Sequence, residues 1–178
     1  MRISAAFLIL FAVIFLAAGP AAAQSPAAPP IPKVGGQAPD FTLKDFSGKE
    51  FTLSPLMKKK GVVLWFTNLC AGCQSQIPTV EKLKAAYEKK GIGFVAVSVL
   101  GKDRQHVEDV MARNKVSFPF LYDPAGDATK LYSGQYVEGT CPLKNIFVIE
   151  KGGKILFSRH LPGTSEQELI TQLDKAVK

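Results

Sequence analysis

Two runs of consecutive apolar residues stand out from an otherwise mixed chain, Val62-Val63-Leu64-Trp65-Phe66 and Phe94-Val95-Ala96-Val97-Ser98-Val99. Each is short, rich in β-branched and aromatic side chains and without alternation, which predicts a strand buried on both faces. Between them Ile77, Val80, Leu83 and Tyr87 recur at helical spacing, with Lys82, Lys84, Glu88 and Lys89 mostly opposite. That pattern predicts an amphipathic helix, and Gly91 punctuates its end. Strand, helix and strand in this order make a βαβ unit with a parallel pair.

The flanking segments extend the same layout. Pro39-Asp40-Phe41-Thr42-Leu43 and Glu50-Phe51-Thr52-Leu53 alternate around Ser47-Gly48-Lys49, predicting a β-hairpin that covers one edge of the main sheet. Residues 103–115 carry Val107, Val110 and Met111 on one helical face, with Asp103 as N-cap. Pro119-Phe120-Leu121-Tyr122 reads as a brief extended piece, and residues 127–132 as a short helix capped by Asp127. Residues 146–149 and 154–157 flank the turn Lys151-Gly152-Gly153 and read as an antiparallel hairpin. Ser165 and Glu168 form a capping box for a last helix that buries Leu169, Ile170, Leu173 and Val177. No internal repeat appears.

At 178 residues the chain accommodates one domain of ordinary size. Arg2, an apolar stretch over residues 3–18 and Ala21-Ala22-Ala23 predict a signal peptide over residues 1–23, cleaved before Gln24. An uncleaved anchor is the alternative, but Gly19-Pro20 and the small residues after it favour cleavage and a soluble periplasmic or otherwise exported protein. Residues 24–36, rich in Ala and Pro, read as an extended linker, and the folded domain is expected over residues 37–178. The formal net charge of +7 drops by one with Arg2 and is spread along the chain. Its only cationic run, Lys58-Lys59-Lys60, reads as a solvated turn, so nucleic-acid binding is not expected.

The chemistry lies in Cys70-Ala71-Gly72-Cys73, delivered by the first apolar run to the start of the following helix. Unpaired backbone N–H groups and the helix dipole at such a junction favour a thiolate over a thiol. Export allows a disulfide to persist, and Cys141 leaves one thiol beyond the pair. Structural zinc is not expected, because His106 and His160 lack the paired spacing of a finger or ribbon; both read as surface or satisfied side chains.

The element order resembles the thioredoxin fold and, more closely, the exported TlpA/ResA-type proteins and their redoxin relatives of the AhpC/TSA-like family. Gly36-Gln37-Ala38-Pro39-Asp40-Phe41-Thr42-Leu43, residues 62–78 and Phe147-Val148-Ile149-Glu150-Lys151-Gly152-Gly153-Lys154-Ile155 carry the resemblance. It implies an α/β thioredoxin-like fold, a central mixed β-sheet flanked by helices, with an N-terminal β-hairpin extension. It further implies a monomeric thiol:disulfide oxidoreductase without organic cofactor, in which Cys70 is the nucleophile and Cys73 the resolving thiol. The partners implied are a protein disulfide or thiol and a membrane-bound thiol carrier as electron donor.

Several positions depart from that pattern. Lys144 stands where the family has a cis-proline, with Pro142 two residues earlier, so residues 140–144 are expected to face Cys70. Leu69 replaces a Trp before the first cysteine, and Gly93 replaces a buried Glu that would take the proton of Cys73. Thr67, three residues before Cys70, together with a cation at Lys144, is similar to the peroxidatic site of peroxiredoxins, which makes a thiol peroxidase with antioxidant activity the alternative enzyme. Cys141 reads as a small packing residue, as a third thiol in a disulfide relay, or as the third ligand of a trigonal Cu(I) site with Cys70 and Cys73, the last implying a copper chaperone.

Overall fold

The computed structural model describes residues 30–178. The expected signal peptide and most of the linker lie outside these residues. Among the described residues no helix is long and apolar enough to cross a membrane.

Both apolar runs form strands with every residue buried, β3 (Gly61–Thr67) and β4 (Ile92–Ser98), which pair in parallel from Gly61↔Ile92 to Thr67↔Ser98. They are the middle of a seven-stranded mixed sheet. On one side β4 pairs in parallel with β5 (Phe120–Tyr122), and β5 pairs antiparallel with β1 (Thr42–Asp45), which pairs with β2 (Glu50–Thr52). The N-terminal hairpin therefore extends one edge of the sheet, as its alternation predicts. On the other side β6 (Ile146–Ile149) runs antiparallel to β3 and pairs with β7 (Ile155–Arg159). Backbone bonds from Gly35 N–H to the Ile155 carbonyl and from Ile155 N–H to the Gly36 carbonyl tie the chain entering the domain to β7.

Alternation along β3 and β4 divides the core. Val63, Trp65, Ile92, Phe94 and Ala96 face α3 (Ile77–Tyr87), α4 (Arg104–Arg113) and α6 (Glu166–Ala176), the face that also holds Leu69 and Cys73. Val62, Leu64, Phe66, Val95 and Val97 face α1 (Leu53–Lys59) and α5 (Asp127–Ser133). Tyr132 of α5 anchors that second face, packing against Phe41, Phe66 and Phe147 while its hydroxyl donates to the Pro39 carbonyl at 2.7 Å.

Three local expectations are corrected. Leu53 opens α1 instead of ending a strand, because the sheet face beside it is apolar and Leu53 and Met57 cover it. Gly126, in the left-handed region at φ 68°, is the N-cap of α5, so Asp127 sits inside the first turn without a capping bond. The N–H and hydroxyl of Thr129 donate instead to the buried Asp123 carboxylate at 2.9 and 2.8 Å. The helix after the first cysteine is broken in two: α2 (Ala71–Gln74) makes a single turn before Ser75 and Gln76 lead into α3. Pro78 explains the break, since its ring and missing N–H are tolerated only in the first turn of a helix. The dipole at Cys70 is thus that of one turn, weaker than a continuous helix would give. Capping by Asp103 and the Ser165/Glu168 capping box both form as expected.

Candidate active site

The site is built where β3 ends. Leu69 takes a left-handed backbone conformation (φ 52°) with its side chain buried, a strained geometry for a branched residue costing about 1–2 kcal/mol. Its N–H donates to Thr67 Oγ1 at 3.0 Å, and its carbonyl accepts from Gln74 Nε2 at 2.6 Å, so the strain is held from both sides. The turn places Cys70 at the N-cap of α2, exposed, and Cys73 one turn on, fully buried. Pro162, in the short 3₁₀ turn Leu161–Gly163, flanks Gly72 beside the Cys70 sulfur.

Cys141 comes to this site from the opposite side of the chain. It lies in the irregular loop between α5 and β6, half-buried, with its Sγ 3.6 Å from Cys73 Sγ. Asn68 clamps the two loops together. Its backbone N–H donates to Cys141 Sγ at 3.2 Å, its Nδ2 donates to the Gly139 carbonyl at 2.9 Å, and its Oδ1 accepts from Cys70 N–H at 3.1 Å and from the Cys141 thiol at 2.9 Å. The buried Asn145 completes the support: its Oδ1 accepts from Leu161 N–H at 2.8 Å, and its Nδ2 lies 3.9 Å from Cys141 Sγ.

Contact between the sulfurs separates the two buried thiols electrostatically. The hydrogen bond with Cys141, reinforced by burial, pushes the Cys73 thiol far above the ordinary thiol range. Receiving that bond, with help from the Asn68 N–H and Asn145, holds Cys141 below its ordinary value against the effect of burial. In the reduced protein Cys73 therefore holds its proton more tightly than Cys141 does.

The remaining expected residues divide clearly. Thr67 is buried, and its hydroxyl oxygen accepts from Leu69 N–H. Pro142 and the exposed Lys144 join Cys141 in lining a cavity of about 440 Å³, whose apolar walls include Ile31, Tyr132, Val137 and Leu143. No cis peptide bond occurs among the described residues, so Pro142 has a trans bond. His160 is exposed and His106 is half-buried on α4. Among the described residues no three His, Cys, Asp or Glu side chains are arranged to hold a metal ion.

The expectation for Gly93 is corrected as well. A Cβ there would meet Leu56 Cδ2 of α1 at 2.9 Å, on the sheet face away from Cys73. An acid at this position could not reach the thiol; the group in contact with Cys73 is Cys141. Asn68, Gln74, Asn145 and Pro162 were not singled out from the sequence. Only Asn68 carried a signal, as a turn-forming residue between an apolar run and the cysteines.

A sheet of this order, with a Cys-x-x-Cys turn where a central parallel strand meets its helix, defines a thioredoxin-like protein. Residues 34–158 match the AhpC/TSA family, and the chain belongs to it. It is 33% identical over 146 residues to the thiol-disulfide oxidoreductase ResA of Geobacillus thermodenitrificans, covering 82% of this chain and 78% of that protein. Among solved structures it is similar to the thioredoxin domain of a thiol-disulfide oxidoreductase from Bacteroides vulgatus (TM-score 0.67, 22% identity, 82% of this chain and 99% of that one). It is also similar to peroxidoxin BcpB from Mycobacterium tuberculosis (TM-score 0.66, 22% identity, 82% and 96%).

Proposed function

We propose that the protein is an exported thiol-disulfide oxidoreductase that exchanges a disulfide between Cys70-Cys73 and a partner protein. The observation that carries this reading is the pairing of an exposed Cys70 with a fully buried Cys73 one helical turn away. A partner disulfide reaches only the first sulfur. Cys70, as thiolate, bonds to one partner sulfur and the other leaves as a thiolate. Cys73 then attacks the Cys70 sulfur, releasing the second partner thiolate, and the proton Cys73 must lose moves toward Cys141, its hydrogen-bond partner at 3.6 Å. The two electrons that reduce the partner come from the Cys70 and Cys73 thiols, which remain oxidised as the Cys70–Cys73 disulfide. A membrane-bound thiol carrier is the electron donor that returns them, by resemblance to the ResA-type proteins, and no organic cofactor is involved.

A thiol peroxidase is the second reading, favoured by Thr67 three residues before Cys70. It ranks lower because the Thr67 hydroxyl oxygen is taken up inside the turn, accepting from Leu69 N–H. Reduction of insulin disulfides by the dithiothreitol-reduced protein tests the assignment. Cys70→Ser is expected to abolish turnover, and Cys73→Ser to trap insulin on Cys70 as a mixed disulfide visible on a non-reducing gel. Hydrogen peroxide consumed faster than insulin is reduced, with loss in Cys70→Ser, would replace the assignment by the peroxidase.

A further inference from the structure

Cys141 is not needed as a sulfur nucleophile for exchange at Cys70-Cys73, yet it touches the one thiol of that pair which no partner reaches. Its Sγ lies 3.6 Å from that of Cys73, the fully buried residue, on a loop that has no regular structure between Gly134 and Asn145. Bond formation needs a sulfur separation of about 2 Å, which a side-chain rotation on such a loop can supply. We propose that Cys141 is a third exchanging thiol, which takes Cys73 from Cys70 and moves the disulfide from Cys70–Cys73 to Cys73–Cys141. The proposal rests on the exchange activity assigned above, since the oxidising equivalent enters as a partner's disulfide.

The step is an intramolecular thiol–disulfide exchange. The thiolate of Cys141 forms a bond to Cys73 Sγ, the Cys70–Cys73 bond breaks, and Cys70 departs as a thiolate that takes a proton from water. No electrons enter or leave. The preceding step places a proton on Cys141, and this passes to the departing partner thiolate or to water before the attack. Hydrogen bonds from Asn68 N–H, and the site's preference for charge on Cys141 over Cys73, favour Cys141 as attacker.

The consequence is a change of address for the disulfide. In Cys70–Cys73 one sulfur belongs to an exposed residue; in Cys73–Cys141 both belong to buried or half-buried ones. Cys141 also lines the 440 Å³ cavity with Ile31, Tyr132, Val137 and Leu143. Oxidation is thereby stored away from exposed thiols, and Cys70 is freed while the protein remains oxidised. Reduction then proceeds by reversal through Cys70 or from within the cavity.

Disulfide mapping of the full-length protein tests this. The reduced protein is oxidised with excess oxidised glutathione, quenched in acid with N-ethylmaleimide, digested with trypsin and read by mass spectrometry without reduction. Cys70 and Cys73 share the peptide 61–82, whereas Cys141 lies in 131–144, so the two disulfides separate as an internal loop and a cross-link. Wild type is expected to yield both products, and Cys70→Ser to form the cross-link alone. Cys141→Ser is expected to lose the cross-link and retain the loop. Recovery of the loop alone from wild type, with Cys141 alkylated and no internal disulfide in Cys70→Ser, would overturn the relay. Insulin turnover with that outcome removes the relay and leaves the proposed activity standing; a cross-link without insulin turnover does the reverse.

Discussion

Replacing Asn68 by Ala severs the clamp between the Cys70 turn and the Cys141 loop while leaving every sulfur in the chain. Three interactions of the side chain are lost: Nδ2 to the half-buried Gly139 carbonyl at 2.9 Å, Cys70 N–H to Oδ1 at 3.1 Å, and Cys141 Sγ to Oδ1 at 2.9 Å. The Gly139 carbonyl is left without its donor and carries the largest share, about 1 kcal/mol. Cys70 N–H is exposed and finds water, so its loss adds about 0.5 kcal/mol, and the sulfur contact adds a similar amount. The backbone bond from Asn68 N–H to Cys141 survives the substitution. The sum is about 2 kcal/mol, or a fall in Tm of about 4–8 °C for a domain of this size. Thermal unfolding of the reduced protein by circular dichroism reads it, and alkylation of Cys141 by iodoacetamide is expected to accelerate in parallel. Asn68→Asp keeps the acceptor for Cys70 N–H but sets a carboxylate oxygen against the Gly139 carbonyl, so it is expected to lose at least as much as Ala. A fall below about 2 °C in Asn68→Ala, with unchanged alkylation, would refute the clamp.

Other substitutions probe the surrounding structure. Gly93→Glu would drive a side chain into Leu56, whose Cδ2 lies 2.9 Å from the new Cβ, and bury a carboxylate; a loss of about 3 kcal/mol or more is expected in urea unfolding, with no gain in insulin reduction, because the acid points away from Cys73. A faster variant of undiminished stability would contradict the placement of Gly93. Tyr87 donates to Asp174 at 2.7 Å between α3 and α6, so Tyr87→Phe is expected to cost about 1 kcal/mol at neutral pH. Burial, followed by the Asp174 carboxylate, pushes the Tyr87 hydroxyl up to about 12. Because the unfolded chain ionises near 10, this contribution to stability is complete below about pH 10 and is lost as pH rises through about 12. Urea midpoints between pH 9 and 12 should fall more steeply in wild type than in Tyr87→Phe; parallel curves would exclude the linkage.

Patterning alone was enough for the central strands, because a strand buried on both faces must be apolar throughout, and for the caps at Asp103 and Ser165, because there capping is a contact between residues three apart in sequence. The Cys-x-x-Cys turn was legible for a similar reason: its chemistry depends on neighbours along the chain. The face taken by Gly93 and the helix α1 were not legible, and Cys141 was brought toward the pair only by resemblance, which left packing and exchange as open readings. Whether Gly93 faces the thiols depends on which side of β4 each residue takes, and only the pairing with β3 and the packing of Leu56 decide that. Leu53 follows an alternating segment and looks like its continuation until the exposed sheet face beside it requires cover.

What the sequence by itself determined is a closely spaced pair of cysteines at the mouth of a parallel βαβ unit, since strand burial, helix periodicity and cysteine spacing are local properties. What the tertiary structure decided is the company those thiols keep. Cys73 and Cys141 are 68 residues apart in the chain and 3.6 Å apart at their sulfurs, brought together because β6 inserts antiparallel beside β3 and carries its preceding loop to the strand end where the cysteines emerge. No local pattern encodes that juxtaposition, because it is set by strand order, and strand order is settled by the packing of the whole sheet.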